Sequence, residues 1–214
     1  MNNIGENILI LCLVLCVSSP VLAANISGES IAKQGNGKGA VACIACHGQH
    51  GEGNASAGYP YLAGLPADYL QSQLHAFSNG DRNNAVMKPI AGKLSDDEIA
   101  AVANYYASLS PPEMSGSAAD NTSSHSRGAS LTTSGKWESG VPACFQCHGE
   151  QGQGIAPHFP PIAGQSYTYI KNQLQDWQSG KRQNDPLGLM QAVAKALDPQ
   201  DIEAVAHYLS AQHN

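Results

Sequence analysis

Basic side chains are scarce in this sequence: 11 Lys and Arg stand against 17 Asp and Glu in 214 residues, a formal charge of −6. A surface that neutralises phosphates needs the opposite balance, so nucleic acid is not expected as a partner. Charged residues are few at 13%, while hydrophobic ones reach 42%, which excludes a wholly disordered chain. Aromatics make up only 6%, and the period-two alternation of half-buried strands is missing. An apolar run long enough to cross a membrane is missing too, since the run from Ile8 to Val17 stops at ten residues.

That run reads as the core of an export signal. Small residues follow it, and cleavage is expected near Ala23. The preceding stretch departs from the usual form because it holds Glu6 and no Lys or Arg. An uncleaved anchor is therefore the other reading. Removal of residues 1–23 takes Cys12 and Cys16 with it and leaves Cys43, Cys46, Cys144 and Cys147, all in pairs. An exported protein meets an oxidising compartment, where thiols are usually consumed by disulfides or by a cofactor.

The mature chain repeats itself. Cys43-Ile-Ala-Cys46-His47-Gly48 recurs as Cys144-Phe-Gln-Cys147-His148-Gly149, and Tyr59 to Gly64 recurs as Phe159 to Gly164. Gln73, Leu74, Phe77, Gly80 and Arg82 match Gln173, Leu174, Trp177, Gly180 and Arg182. A period near 100 residues, met this often, means two copies of one unit. The expected organisation is a first domain over 24–110, a flexible linker over 111–134 rich in Ser, Thr, Gly and Pro, and a second domain over 135–214. The two units carry similar charge, five basic against seven acidic side chains each.

Each unit reads as all-α. Ser95-x-x-Glu98 is a capping box ahead of Ile99, Val102, Ala103 and Tyr106 on one helix face. Asp198 and Pro199 open the matching helix, with Ile202, Val205, Ala206 and Leu209 at the same spacing. Helices are also expected over 67–79 and 167–179, stopped by Gly80 and Gly180. Units of this size with so few aromatics have little to build a core from, so something besides side chains should fill the middle.

Cys-x-x-Cys-His is a haem attachment signature. Two thiols three positions apart can reach the two vinyl groups on one porphyrin edge as thioethers, and the adjacent imidazole can then ligate iron. Zinc held by all four cysteines is a second reading, but zinc knuckles lie far closer together than the two pairs here. A redox dithiol is a third, and it would want a βαβ context that this chain lacks. A histidine-bound iron needs a sixth ligand or an open site. Met87 and Met190 each precede a leucine by seven residues, Leu94 and Leu197, and so share one place in the repeat. Met114 has no counterpart, and no histidine outside the motifs recurs. The expected metal ligands are His47 with Met87 and His148 with Met190.

On these residues the sequence resembles the class I cytochromes c, and more closely the two-haem cytochrome c4 family. The resemblance implies two tandem cytochrome c-like domains, each wrapped around a covalently bound haem c, and a periplasmic site. It implies one-electron shuttling between a cytochrome bc1-type donor and a terminal oxidase or reductase, with no catalysis of its own. A monomer is expected, with peripheral membrane association a further expectation. The carbonyls of Pro60 and Pro160 would then accept from the ligand histidines. Arg82 and Arg182 are candidates to contact haem propionates. The other reading is a two-haem enzyme of the peroxidase or thiosulfate dehydrogenase type, which needs an open iron or a cysteine ligand.

Overall fold

A computed structural model describes residues 27–112, 123–185 and 187–212. The expected leader, 1–23, and Met114 lie outside the described residues. Among the described residues there is no strand, only isolated bridges, and the chain is all-α. The first unit holds α1 (Gly28–Gln34), α2 (Ile44–His47), α3 (Ala67–Asn79), α4 (Met87–Ala91) and α5 (Asp96–Ser108). The second holds α6 (Ser123–Thr133), α7 (Cys144–His148), α8 (Tyr167–Ser179), α9 (Leu189–Ala196) and α10 (Pro199–Ser210).

Local chemistry sets the ends. Ser95 and Glu98 form the reciprocal capping box of α5, and Asp198 forms one with Asp201 on α10. Gly80 and Gly180 close α3 and α8 in the left-handed conformation, where a Cβ would be strained. Burial then follows the helical period. Ile31, Leu65, Leu70, Val102 and Tyr106 form one core, and Leu131, Val141, Ile170, Leu174, Trp177, Val205 and Leu209 form the other.

The expected linker over 111–134 is corrected in its C-terminal part, while 113–122 lie outside the described residues. Ser123–Thr133 is helix α6, which buries Gly128, Leu131 and Thr132 and packs along α10 as α1 packs along α5. The polar composition concealed it because only a narrow stripe of this helix faces inward. A glycine sits at each crossing. A Cβ on Gly28 would lie 2.0 Å from the Ala101 carbonyl oxygen, and one on Gly128 would lie 2.3 Å from that of Ala204. The two crossings are thus copies of one close approach.

The units meet about an approximate two-fold axis. Asn83 N–H donates to the Lys181 carbonyl at 2.7 Å, and Gln183 N–H donates to the Asp81 carbonyl at 2.6 Å, placing Arg82 opposite Arg182. Gln165 adds a second seam: its Oε1 accepts from Tyr61 N–H at 3.1 Å and its Nε2 donates to the Tyr61 carbonyl at 3.2 Å.

Candidate haem sites

Each Cys-x-x-Cys-His motif folds as one short helical turn, α2 or α7, so its histidine projects inward from the turn's end. His47 and His148 are both buried, 6% and 8% exposed. The Nδ1 of His47 lies 3.0 Å from the Pro60 carbonyl, and that of His148 lies 2.8 Å from the Pro160 carbonyl. A carbonyl oxygen only accepts, so Nδ1 carries the proton in each ring and Nε2 keeps a free lone pair. Burial pushes both imidazoles below their ordinary value, favouring the neutral form a metal requires. The proline contacts expected from the resemblance are therefore present.

All four motif cysteines are free and partly buried. Burial pushes the Cys43 thiol up, and it carries Cys144 up to about 11. A zinc-binding or redox-active pair needs the opposite, a thiolate stabilised near neutral pH. Among the described residues no three His, Cys, Asp or Glu side chains gather where they could hold a metal ion, so the four cysteines do not form a zinc site.

Met87 opens α4 and Met190 lies in the first turn of α9, both partly buried. Side chains upstream anchor their backbones. Asn84 Oδ1 accepts from Met87 N–H at 2.9 Å, and Asp185 Oδ2 accepts from Met190 N–H at 2.6 Å. Met190 also packs against the second core. His50, His75, His158 and His207 lie exposed on the surface.

Arg82 and Arg182 are buried, 6% and 8% exposed, between the two units. Arg82 donates to Gln73 at 3.0 Å on its own side, and to Tyr169 at 2.8 Å and Gln173 at 2.6 Å across the interface. Arg182 donates to Gln173 at 3.1 Å and reaches back to Gln73 at 3.0 Å. Phe77 and Trp177 place their rings 4.4 and 4.5 Å from the two guanidinium carbons. Among the described residues neither arginine forms an ion pair with a carboxylate. Burial and the facing Arg82 guanidinium press Arg182 below its ordinary value. Two like charges held out of water without an anion are costly, so the interface suits carboxylates supplied by another group.

Unpaired vicinal thiols, imidazoles fixed with Nε2 free, and a carboxylate-poor cationic interface all fit a covalently attached haem in each unit. In the sequence Gln73 pairs with Gln173 and Arg82 with Arg182 only as matching positions. Tyr61 falls in the recurring segment, but nothing in the sequence signals its contact with Gln165.

The sequence model of the cytochrome c family matches residues 34–110 and 126–212. The chain is 46% identical over 178 residues to the thiosulfate dehydrogenase electron acceptor of Thiomonas intermedia, covering 81% of this chain and 79% of that protein. It superposes on a thiosulfate dehydrogenase from Marichromatium purpuratum with a TM-score of 0.80 and 40% identity, over 86% of this chain but only 39% of that longer one. Reduced cytochrome c4 from Pseudomonas stutzeri gives a TM-score of 0.73 at 32% identity, over 80% of this chain and 93% of that one.

Proposed function

The chain belongs to the cytochrome c family, in its two-haem cytochrome c4 branch, and from that premise we propose that it is the periplasmic one-electron acceptor of a thiosulfate-oxidising dehydrogenase. It is an electron carrier with two covalently bound haem c groups. The relatives named as acceptors for that enzyme support the donor, and a terminal oxidase or reductase is the recipient we assign downstream. Residues 1–23 are read as the removed leader, and the lobes as 24–110 and α6 to the C-terminus.

When bound, each haem supplies an iron that cycles between ferrous and ferric states with its ligands unchanged. Cys43 and Cys46 would hold the first by thioethers and Cys144 with Cys147 the second. His47 and His148 would ligate through Nε2, kept in one tautomer and orientation by the Pro60 and Pro160 carbonyls. Met87 and Met190 would complete the ligand sets, and their thioethers would favour the ferrous state. Arg82 and Arg182 would offer charge to the propionates and so raise both potentials.

The observation that carries this reading is the duplication of a fixed imidazole and an anchored methionine at matching positions. A catalytic haem with a cysteine ligand would need a thiol beyond Cys43, Cys46, Cys144 and Cys147, all of which are committed to attachment. Stopped-flow mixing with a thiosulfate dehydrogenase and thiosulfate should reduce both haems of the holoprotein, and Met87→Ala or Met190→Ala should each open one haem to carbon monoxide. Carbon monoxide binding by the unmodified protein, or thiosulfate oxidation by it alone, overturns the carrier reading. Failure to accept electrons from the dehydrogenase overturns only the assigned partner.

A further inference from the structure

The two haem sites are not equal, and the difference lies where the repeat breaks. Tyr106 in α5 and Leu209 in α10 are equivalent, because the Tyr106 carbonyl accepts from Gly64 N–H at 2.9 Å and the Leu209 carbonyl accepts from Gly164 N–H at 2.9 Å. Both residues are buried, 3% and 2% exposed. Only Tyr106 carries a hydroxyl, and that hydroxyl finds no hydrogen-bond partner among the described residues. A buried phenol left unpaired is destabilising, and a leucine in its place would avoid that cost, as the second unit shows. Its neighbour is the Cys43 sulfur, which packs against the same core and interacts with the phenol without reaching hydrogen-bond geometry in this structure.

The surrounding packing differs accordingly. A Cβ on Gly51 would lie 2.9 Å from the Tyr106 ring, whereas on the matching Gly152 it would lie 3.0 Å from the ring of Phe145. The second unit thus fills the same space with an aromatic from the haem-binding turn itself and keeps an aliphatic residue, Leu209, at the matching place in α10. The matching cysteine, Cys144, has its sulfur 3.8 Å from the Leu131 carbonyl oxygen. One attachment sulfur therefore faces a hydroxyl able to donate, and the other faces the negative end of a carbonyl dipole.

We propose that the Tyr106 hydroxyl donates a hydrogen bond to the Cys43 thioether and raises the potential of the first haem alone. This rests on the reading of Cys43 as an attachment residue. A thioether sulfur has no proton and can only accept, so the buried phenol is the only donor of the pair. Burial pushes the Tyr106 phenol well above its ordinary value, so it stays protonated. Density drawn from the sulfur disfavours the extra positive charge of the ferric state. At the second site the Leu131 carbonyl acts in the opposite sense, and Leu209 offers no donor.

The test is a spectroelectrochemical titration of the holoprotein and Tyr106→Phe, with the first haem identified as the one displaced by Met87→His. At fixed ambient potential, loss of the hydroxyl should raise the oxidised-to-reduced ratio of the first haem about two- to five-fold, as one weak hydrogen bond to sulfur would. The second haem should not move. Tyr106→Leu, which copies the second unit, should act in the same direction and covers the case in which the phenylalanine variant folds poorly. Unchanged potentials in both variants, as when water satisfies the hydroxyl, overturn the proposal, and so does an equal shift of both haems. The pyridine haemochrome spectrum of Cys43→Ala checks the premise separately: loss of one thioether leaves a vinyl group on the first haem and shifts its band, and a spectrum unchanged from the parent would defeat the site assignment rather than the hydrogen bond.

Discussion

Gly128→Ala tests the helix crossing of the second unit, because two opposing effects predict opposite signs. Alanine favours a helix interior over glycine by about 1 kcal/mol, so local propensity alone makes the variant more stable. The structure opposes it: the new Cβ would lie 2.3 Å from the Ala204 carbonyl oxygen and 2.6 Å from the Tyr208 Cβ. Neither obstacle is the free end of a side chain, so relief requires α6 to move bodily away from α10. Overpacking of this kind costs about 1–3 kcal/mol, leaving a net loss of up to about 2 kcal/mol once propensity is subtracted. The displacement should also reach the second haem, since α6 carries Leu131, whose carbonyl faces the Cys144 sulfur at 3.8 Å. Urea denaturation followed by far-ultraviolet circular dichroism gives the first quantity, and the Soret spectrum the second. A variant more stable than the parent, with the Soret spectrum of the second haem unchanged, would show that the close approach is not what the glycine serves.

Glu98 is held down to about 2 from an ordinary 4.5, first by the Ser95 backbone N–H and then by Asn36. Its contribution is complete above pH 4.5 and is lost as pH falls toward 2, so Glu98→Gln should flatten acid unfolding of the first unit in that window. Arg82→Gln removes donations to Gln73, Tyr169 and Gln173. It should cost about 1.5–3 kcal/mol in denaturant titration and lower both haem potentials, since a positive charge between the lobes is gone. Gln165→Ala removes both bonds to the Tyr61 backbone, a loss of about 1–3 kcal/mol, and calorimetry should then separate the unfolding of the two units. A single unsplit transition would show that the seam does not couple them.

Much of the fold was legible because it is written in helical period and caps. Helices over 67–79 and 167–179 appear with those bounds, and both α5 and α10 start at the expected caps. Helices α1 and α6 escaped notice although their sequences are related, Gly28-Glu-Ser-Ile31 and Gly128-Ala-Ser-Leu131. A helix that contributes one glycine and one aliphatic residue to its contact has too narrow an apolar stripe to register as periodic. The histidine and cysteine positions were legible from local spacing alone. The meeting of Arg82 with Arg182 was not, since matching places in a repeat do not say whether two copies face each other.

That meeting bears on how the lobes work together. Gln73 Oε1 accepts from Arg82, Arg182 and Asn184 at 3.0, 3.0 and 2.8 Å, so neutral amides, with the Tyr169 hydroxyl and two aromatic faces, solvate two buried cations. An amide oxygen satisfies the N–H geometry but cancels no charge, and in a medium of low polarity the remaining repulsion acts across the interface. Anionic haem edges at this seam would relieve it from both sides at once. With such edges in place, oxidation of either haem would add positive charge to the same region and press on the same pair. An electron arriving at one lobe would then change the electrostatic setting of the other through Arg82 and Arg182, a coupling that two separate copies would lack.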